Sequence, residues 1–127
     1  MANYQNVVPT QLCQAALTTG YVTLYTAPSV VTNSAVNPSN IVTSTTRTYL
    51  KDMQICNTTA GALQLYVSIV PSAGTAGTAN AIYYGVTVAA NTTLIWQGTQ
   101  IIMTGATLQA KASAAGLTLT ASGGEAT

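Results

Sequence analysis

The sequence contains no histidine and no phenylalanine, and only 4% of its 127 residues are charged. A soluble domain usually carries about 25% charged residues. The ionic groups here are Arg47, Lys51 and Lys111 against Asp52 and Glu125. With no imidazole and two carboxylates far apart in the chain, most acid–base and metal chemistry has no residues to use. No catalytic set, no metal site and no cofactor is therefore expected. Three scattered cations and a net charge of +1 make no electrostatic footprint for nucleic acid. No apolar run approaches the roughly 18 residues of a membrane-spanning helix. The opening residues show no basic segment followed by an apolar one, so no secretory signal is expected.

Cysteine is scarce as well. Cys13 and Cys56 fit neither a zinc spacing nor a redox motif, and they are expected to be small buried hydrophobes. Gly74-Thr75-Ala76-Gly77 lacks the lysine and the helix of a phosphate loop. Asn57-Thr58-Thr59 and Asn91-Thr92-Thr93 match a glycosylation triplet, but in a threonine-rich chain they read better as turns.

What the sequence does have is apolar content, 48% of its residues, in a period of two. Tyr21-Val22-Thr23-Leu24-Tyr25 alternates. In Leu63 to Val70, Leu63, Leu65, Val67 and Ile69 point in, while Gln64, Tyr66 and Ser68 point out. Between Tyr49 and Asn57, Met53 and Ile55 share a face that Leu50 misses, and a bulge near Lys51-Asp52 reconciles them. Further strands cover Ile82 to Val88, Thr93 to Trp96, Thr99 to Met103, Thr107 to Ala112 and Leu117 to Gly123. Turns with Gly or Asn separate them.

About eight short strands at this spacing predict an all-β fold: an antiparallel β-sandwich, jelly-roll-like. Residues 1–19 lack a clear period and read as an N-terminal arm, and residues 20–127 as one sandwich domain. Within the domain, residues 27–46 are rich in Ser, Thr and Asn. They form a long loop, with a short strand at Ile41-Val42, expected to meet a partner.

A surface built from Thr, Ser, Asn, Gln and Ala with almost no net charge favours association. The chain is therefore expected to be covered by neighbouring subunits. Tyrosine suits such contacts, because its ring is apolar and its hydroxyl seeks a polar group. The candidate interface residues are Tyr4 in the arm, Tyr21, Tyr25 and Tyr66 on the out-facing phase of their strands, and Arg47. As strand neighbours, Lys51 and Asp52 are expected on opposite faces, so they do not pair with each other; Asp52 reads as a charge on the solvent face of its strand, with a salt bridge to Arg47 or Lys111 of another subunit as the alternative. The tyrosines would also serve as a carbohydrate platform, but the charged residues that usually accompany one are nearly absent.

Five segments carry a resemblance. They are Thr23-Leu24-Tyr25-Thr26-Ala27-Pro28, Leu50-Lys51-Asp52-Met53-Gln54-Ile55-Cys56-Asn57, Val70-Pro71-Ser72-Ala73-Gly74-Thr75-Ala76, Tyr84-Gly85-Val86 and Thr107-Leu108-Gln109-Ala110-Lys111-Ala112. In order and spacing, over about residues 17–123, they resemble small virion structural proteins of tailed bacteriophages, the capsid cement or decoration proteins. The resemblance implies a β-sandwich present in many copies on the outside of the phage head, made in the host cytoplasm. It would bind the major capsid protein and stabilise contacts between its subunits. It would also contact itself as a homo-oligomer, a trimer rather than a dimer. The same resemblance covers tail, neck and fibre-attachment subunits, and it carries over no catalytic residue. The stretch between Pro28 and Thr46 departs from the family, whose members have a short Gly-containing turn there.

Overall fold

The computed structural model describes residues 7–28, 31–32, 43–44 and 47–126, with side chains for residues 9–28 and 47–125. In chain order the strands are β1 (Val7–Ala16), β2 (Val22–Thr26), β3 (Val31–Thr32), β4 (Thr43–Ser44), β5 (Arg47–Asn57), β6 (Leu63–Val70), β7 (Ala81–Val88), β8 (Thr93–Ile102), β9 (Thr107–Ala112) and β10 (Leu117–Ala126). Among the described residues the one helical piece is a short 3-10 turn at Thr78–Asn80. Thr, Val and Ile fill the strands because their branched side chains suit a pleated, half-buried surface.

Two antiparallel sheets pack face to face. Sheet A has the order β1-β10-β5-β8 and sheet B the order β2-β9-β6-β7, while β3 and β4 form a separate two-stranded ribbon. Leaving that ribbon aside, eight strands remain. Counted along the chain, sheet A runs first-eighth-third-sixth and sheet B second-seventh-fourth-fifth, which is the order of a jelly roll. Only β6 and β7 form a hairpin within one sheet. The turn at residues 113–116 carries the chain from β9 in sheet B to β10 in sheet A.

Inward side chains of both sheets build one core. Leu50, Met53, Ile55, Leu65, Val67, Ile102, Leu108, Leu117 and Leu119 are fully buried there. Each contributes roughly 1.5–3 kcal/mol before conformational entropy is counted. The bulge expected near Lys51 is present: register shifts between Leu50 and Asp52 against β8, and opposite Ser122/Gly123 in β10. It brings Leu50 inward with Met53 and Ile55. Gly123 is required at this point, because a Cβ there would collide with the Tyr49 carbonyl.

The structure corrects the N-terminal arm. Residues 7–16 are β1, an edge strand of sheet A paired with β10 from Val7↔Ala126 to Ala16↔Thr118. Leu12 and Leu17 lie in the core. A bulge between Gln11 and Cys13 breaks the alternation, which hid the strand from a period-two reading. The long loop contains the β3–β4 pairing, and the strand expected at Ile41-Val42 lies outside the described residues. The two short strands expected on either side of Gln97-Gly98 are one continuous strand, β8.

Asn57 closes one end of the sandwich. Its amide nitrogen donates to the carbonyls of Gly61 (2.9 Å) and Val88 (3.0 Å). Its carbonyl oxygen accepts from the Thr59 amide (2.9 Å) and hydroxyl (2.7 Å). This fully satisfied side chain is 1% exposed, so Asn57 is a turn residue, as its context suggests, and no glycan can reach it.

Candidate interface surfaces

The outer face of sheet A is wide and mostly uncharged, with Lys51 and Asp52 on β5 as ionic groups. Cross-strand register aligns Gln14, Thr120, Gln54 and Ile95 in one row, and Gln11, Ser122, Asp52 and Gln97 in the next. Beyond the bulge, Pro9, Gly124, Tyr49 and Ile101 make a third. Amides and hydroxyls dominate, with Asp52 the one ionic member of these rows. Because Gly123 and Gly124 have no side chains, an open groove of about 320 Å³ forms there, lined by Pro9, Tyr49, Lys51 and the two glycines. Lys51 was expected opposite Asp52. The bulge turns it to the same outer side, where its ammonium donates to Thr99 Oγ1 at 2.9 Å.

The outer face of sheet B holds an aromatic cluster around one cation. Lys111 Nζ stands 4.8 Å from the Tyr21 ring centroid and 4.7 Å from that of Tyr66. Such placement is electrostatically attractive. Tyr66 in turn meets Tyr84 edge to face, with centroids 5.1 Å apart, and its hydroxyl donates to Gln64 Oε1 at 3.2 Å. Tyr84 is 59% exposed. The Tyr21 hydroxyl is buried with no hydrogen-bond partner among the described residues. The structure therefore brings two of the sequence-predicted residues, Tyr21 and Tyr66, onto one surface. Tyr84 and Lys111 complete it; the sequence did not single out Tyr84, and it raised Lys111 only as a partner for Asp52 of another copy.

Tyr25 belongs elsewhere. A register shift between Thr23 and Tyr25 reverses its phase, so it pairs with inward-facing Leu108 and packs against the core. Its hydroxyl donates to Glu125 Oε1 at 3.0 Å and shares a 2.8 Å hydrogen bond with Thr48 Oγ1. Burial pushes its pKa up to about 12; the Thr48 bond opposes that rise and the Glu125 carboxylate adds to it. Arg47 sits at the end of β5, half-buried, with Nη1 3.3 Å from Met103 Sδ. Tyr4 lies outside the described residues.

Both cysteines are free and half-buried rather than fully buried. Cys13 packs against the core, where burial pushes its thiol pKa up. A raised pKa makes it a poor nucleophile at neutral pH. Among the described residues, no three His, Cys, Asp or Glu side chains are grouped to hold a metal ion. No described helix is long and apolar enough to cross a membrane.

The positions of the five charged residues share one property. Arg47, Lys51 and Asp52 are on β5, Lys111 on β9 and Glu125 on β10, all interior strands of their sheets. The four edge strands, β1, β2, β7 and β8, carry no charge.

No family model matches the chain, and no curated protein matches its sequence. Two solved virus structures are similar in fold. One is the structure of infectious bursal disease virus Gx strain, with a TM-score of 0.48 and 16% identity over 98% of this chain and 33% of that one. The other is the crystal structure of the T13 viral particle of the same virus, with a TM-score of 0.49 and 12% identity over 98% of this chain and 31% of that one. The chain spans about a third of the length of the chains it matches.

Proposed function

We propose that this protein is a structural subunit of a virion, and more narrowly a cement or decoration protein on the outside of a tailed-phage head. In this reading it binds the major capsid protein across subunit boundaries and contacts further copies of itself, as trimers. The observation that carries the reading is the outer face of sheet A. It is four strands wide and, apart from Lys51 and Asp52 on β5, its rows are neutral, chiefly Gln, Thr, Ser, Ile, Tyr and Pro. Neutral groups cost less to desolvate than charges, so such a face loses little when another protein covers it. The ordered sequence resemblance over residues 17–123 points the same way.

A jelly roll also hosts sugar-binding and cupin sites, and the fold alone does not choose among them. Side chains do. Cupin chemistry relies on histidine, and the chain has none. Mechanistically the reading is purely energetic: a protein that binds the assembled shell and not its separated parts stabilises the shell by mass action. Many small joints on one lattice reinforce one another through effective concentration.

The test uses particles lacking this protein. They should release DNA at a lower temperature than complete particles, and purified protein added back should restore the difference. An unchanged release temperature would contradict a reinforcing role. A tail, neck or fibre-attachment subunit would instead bind at one vertex or along the tail.

A second reading has one specific observation behind it. Tyr84 is exposed beside Tyr66 and Lys111, which makes its ring the free stacking surface of a carbohydrate-binding patch. Glycan binding lost on Tyr84→Ala would favour this reading, and capsid binding without any glycan signal would dismiss it.

A further inference from the structure

Sheet edges are usually guarded. Charged residues, prolines, strong bulges or short length keep an unpaired ladder from capturing a neighbour. Here β8 is an edge of sheet A, ten residues long, with no charge and no proline. Ile95 and Ile101 on its outer phase are 57% and 48% exposed, and Met103 just beyond its end is 51% exposed. The other three edges differ. β1 contains Pro9, β2 is five residues long, and β7 has two register shifts and Gly85 at φ 72°, against one register shift on β8, beside Gly98.

The pattern on β8 is also self-complementary. Ile95 and Ile101 each lie three positions from Gly98. If two copies of β8 run antiparallel with Gly98 facing Gly98, Ile95 of each copy faces Ile101 of the other, on the same face. Gln97 then faces Thr99. A two-fold axis produces this arrangement automatically, since an isologous contact places residue i on j and j on i.

We propose that β8 is a self-recognition edge: it pairs antiparallel with β8 of a second copy about a two-fold axis at Gly98, joining two four-stranded sheets into one. One cation lies beside the joint. The β5 strands that carry the two copies of Lys51 are about 14 Å apart across three spacings of about 4.8 Å, but the ammonium reaches over to Thr99 on β8 at 2.9 Å. The two charges therefore approach to about one screening length of 8–10 Å, and salt should strengthen the joint. The area fixes its strength. Ten residues at about 3.4 Å each give an edge about 34 Å long, and a strip about 10 Å wide buries roughly 700 Å² over both copies, below the ~1,200–2,000 Å² of a stable interface. The joint is therefore reversible in solution and becomes firm when other contacts hold the copies together. The two-fold joint rests on the self-assembly part of the proposed function but is distinct from its trimer contact, and it needs no virion to be tested, so the two can fail separately.

The experiment is sedimentation equilibrium of the purified full chain over a wide concentration range, with amide exchange of β8 read at both extremes. Wild-type protein should show concentration-dependent two-fold pairing, of monomers or of trimers, with β8 amides slowing as the pair forms. The double variant I95K/I101K places two Lys–Lys pairs at the joint and should raise the dissociation constant at least about tenfold. The charge-swapped I95E/I101K places two Glu–Lys pairs there and should recover the pairing. All these side chains are exposed, and unchanged thermal melts will verify folding. A wild-type chain without two-fold pairing at any concentration would overturn the proposal. So would an I95K/I101K protein that associates like wild type, or an I95E/I101K protein no tighter than I95K/I101K.

Discussion

The Tyr25 hydroxyl donates to the Glu125 carboxylate at 3.0 Å, tying edge strand β2 of sheet B to interior strand β10 of sheet A. Thr48 on β5 completes the link at 2.8 Å. Tyr25→Phe removes both bonds and keeps the ring. A neutral hydrogen bond is worth about 0.5–1.5 kcal/mol and one to a charged group about 1.5–3, so the partly exposed pair should cost about 1–3 kcal/mol. Urea unfolding of the two proteins at pH 7 measures it.

The same residue sets an alkaline limit. A tyrosine ionises at about 10 in an unfolded chain, whereas burial holds Tyr25 at about 12. Below pH 10 both states are protonated and the contribution is fully present. As pH rises from 10 toward 12 the unfolded chain loses its proton first, and stability falls. Unfolding curves between pH 8 and 11.5 should show a steeper fall for wild type than for Tyr25→Phe. Parallel curves would contradict the assignment.

Asn57→Ala should be among the most damaging single changes. It removes the buried amide donor to the Val88 carbonyl, one of the two donors to the Gly61 carbonyl, and the acceptor that holds the Thr59 turn. Unsatisfied buried groups cost about 1–3 kcal/mol each, so a loss of about 3 kcal/mol or more is expected in chemical denaturation. A loss below about 1 kcal/mol would show that water replaces the side chain.

Deleting residues 1–17 separates a strand from an arm. It removes β1 from its ladder with β10 and takes Leu12 and Leu17 from the core. Two such side chains are worth roughly 3–6 kcal/mol together, comparable with the whole stability of a small domain. The truncated chain should therefore be largely unfolded by circular dichroism and by amide exchange. A cooperative melt near that of the full chain would contradict the role of β1.

Lys111→Gln tests the aromatic cluster. Cation–π contacts at partly exposed sites are worth about 0.5–1 kcal/mol each. Loss of the contacts to Tyr21 and Tyr66 should therefore cost about 1 kcal/mol, read as a lower melting temperature.

The sandwich was legible because its interior strands alternate cleanly. Leu65 and Val67 on β6, and Leu117, Leu119 and Ala121 on β10, are buried as their period requires. The bulge at Lys51 was legible too, since Leu50, Met53 and Ile55 cannot otherwise share a face. The edges were not. One extra residue in β1 and another in β2 shift the phase, and that hid β1 and sent Tyr25 inward. Ser68 shows a different failure: its phase is outward, yet it is fully buried. The Tyr21–Lys111–Tyr66–Tyr84 surface joins residues from across sheet B and the chain beside β2, proximities that only the cross-sheet order of a jelly roll creates.

The most direct measurement is the copy number of this polypeptide in purified particles, by quantitative mass spectrometry against the major capsid protein. A cement protein is present in a fixed, near-stoichiometric ratio to the shell subunit and is released before the shell breaks on heating. Absence from washed particles would contradict the structural virion role. A ratio matching a single vertex or the tail would contradict the cement assignment.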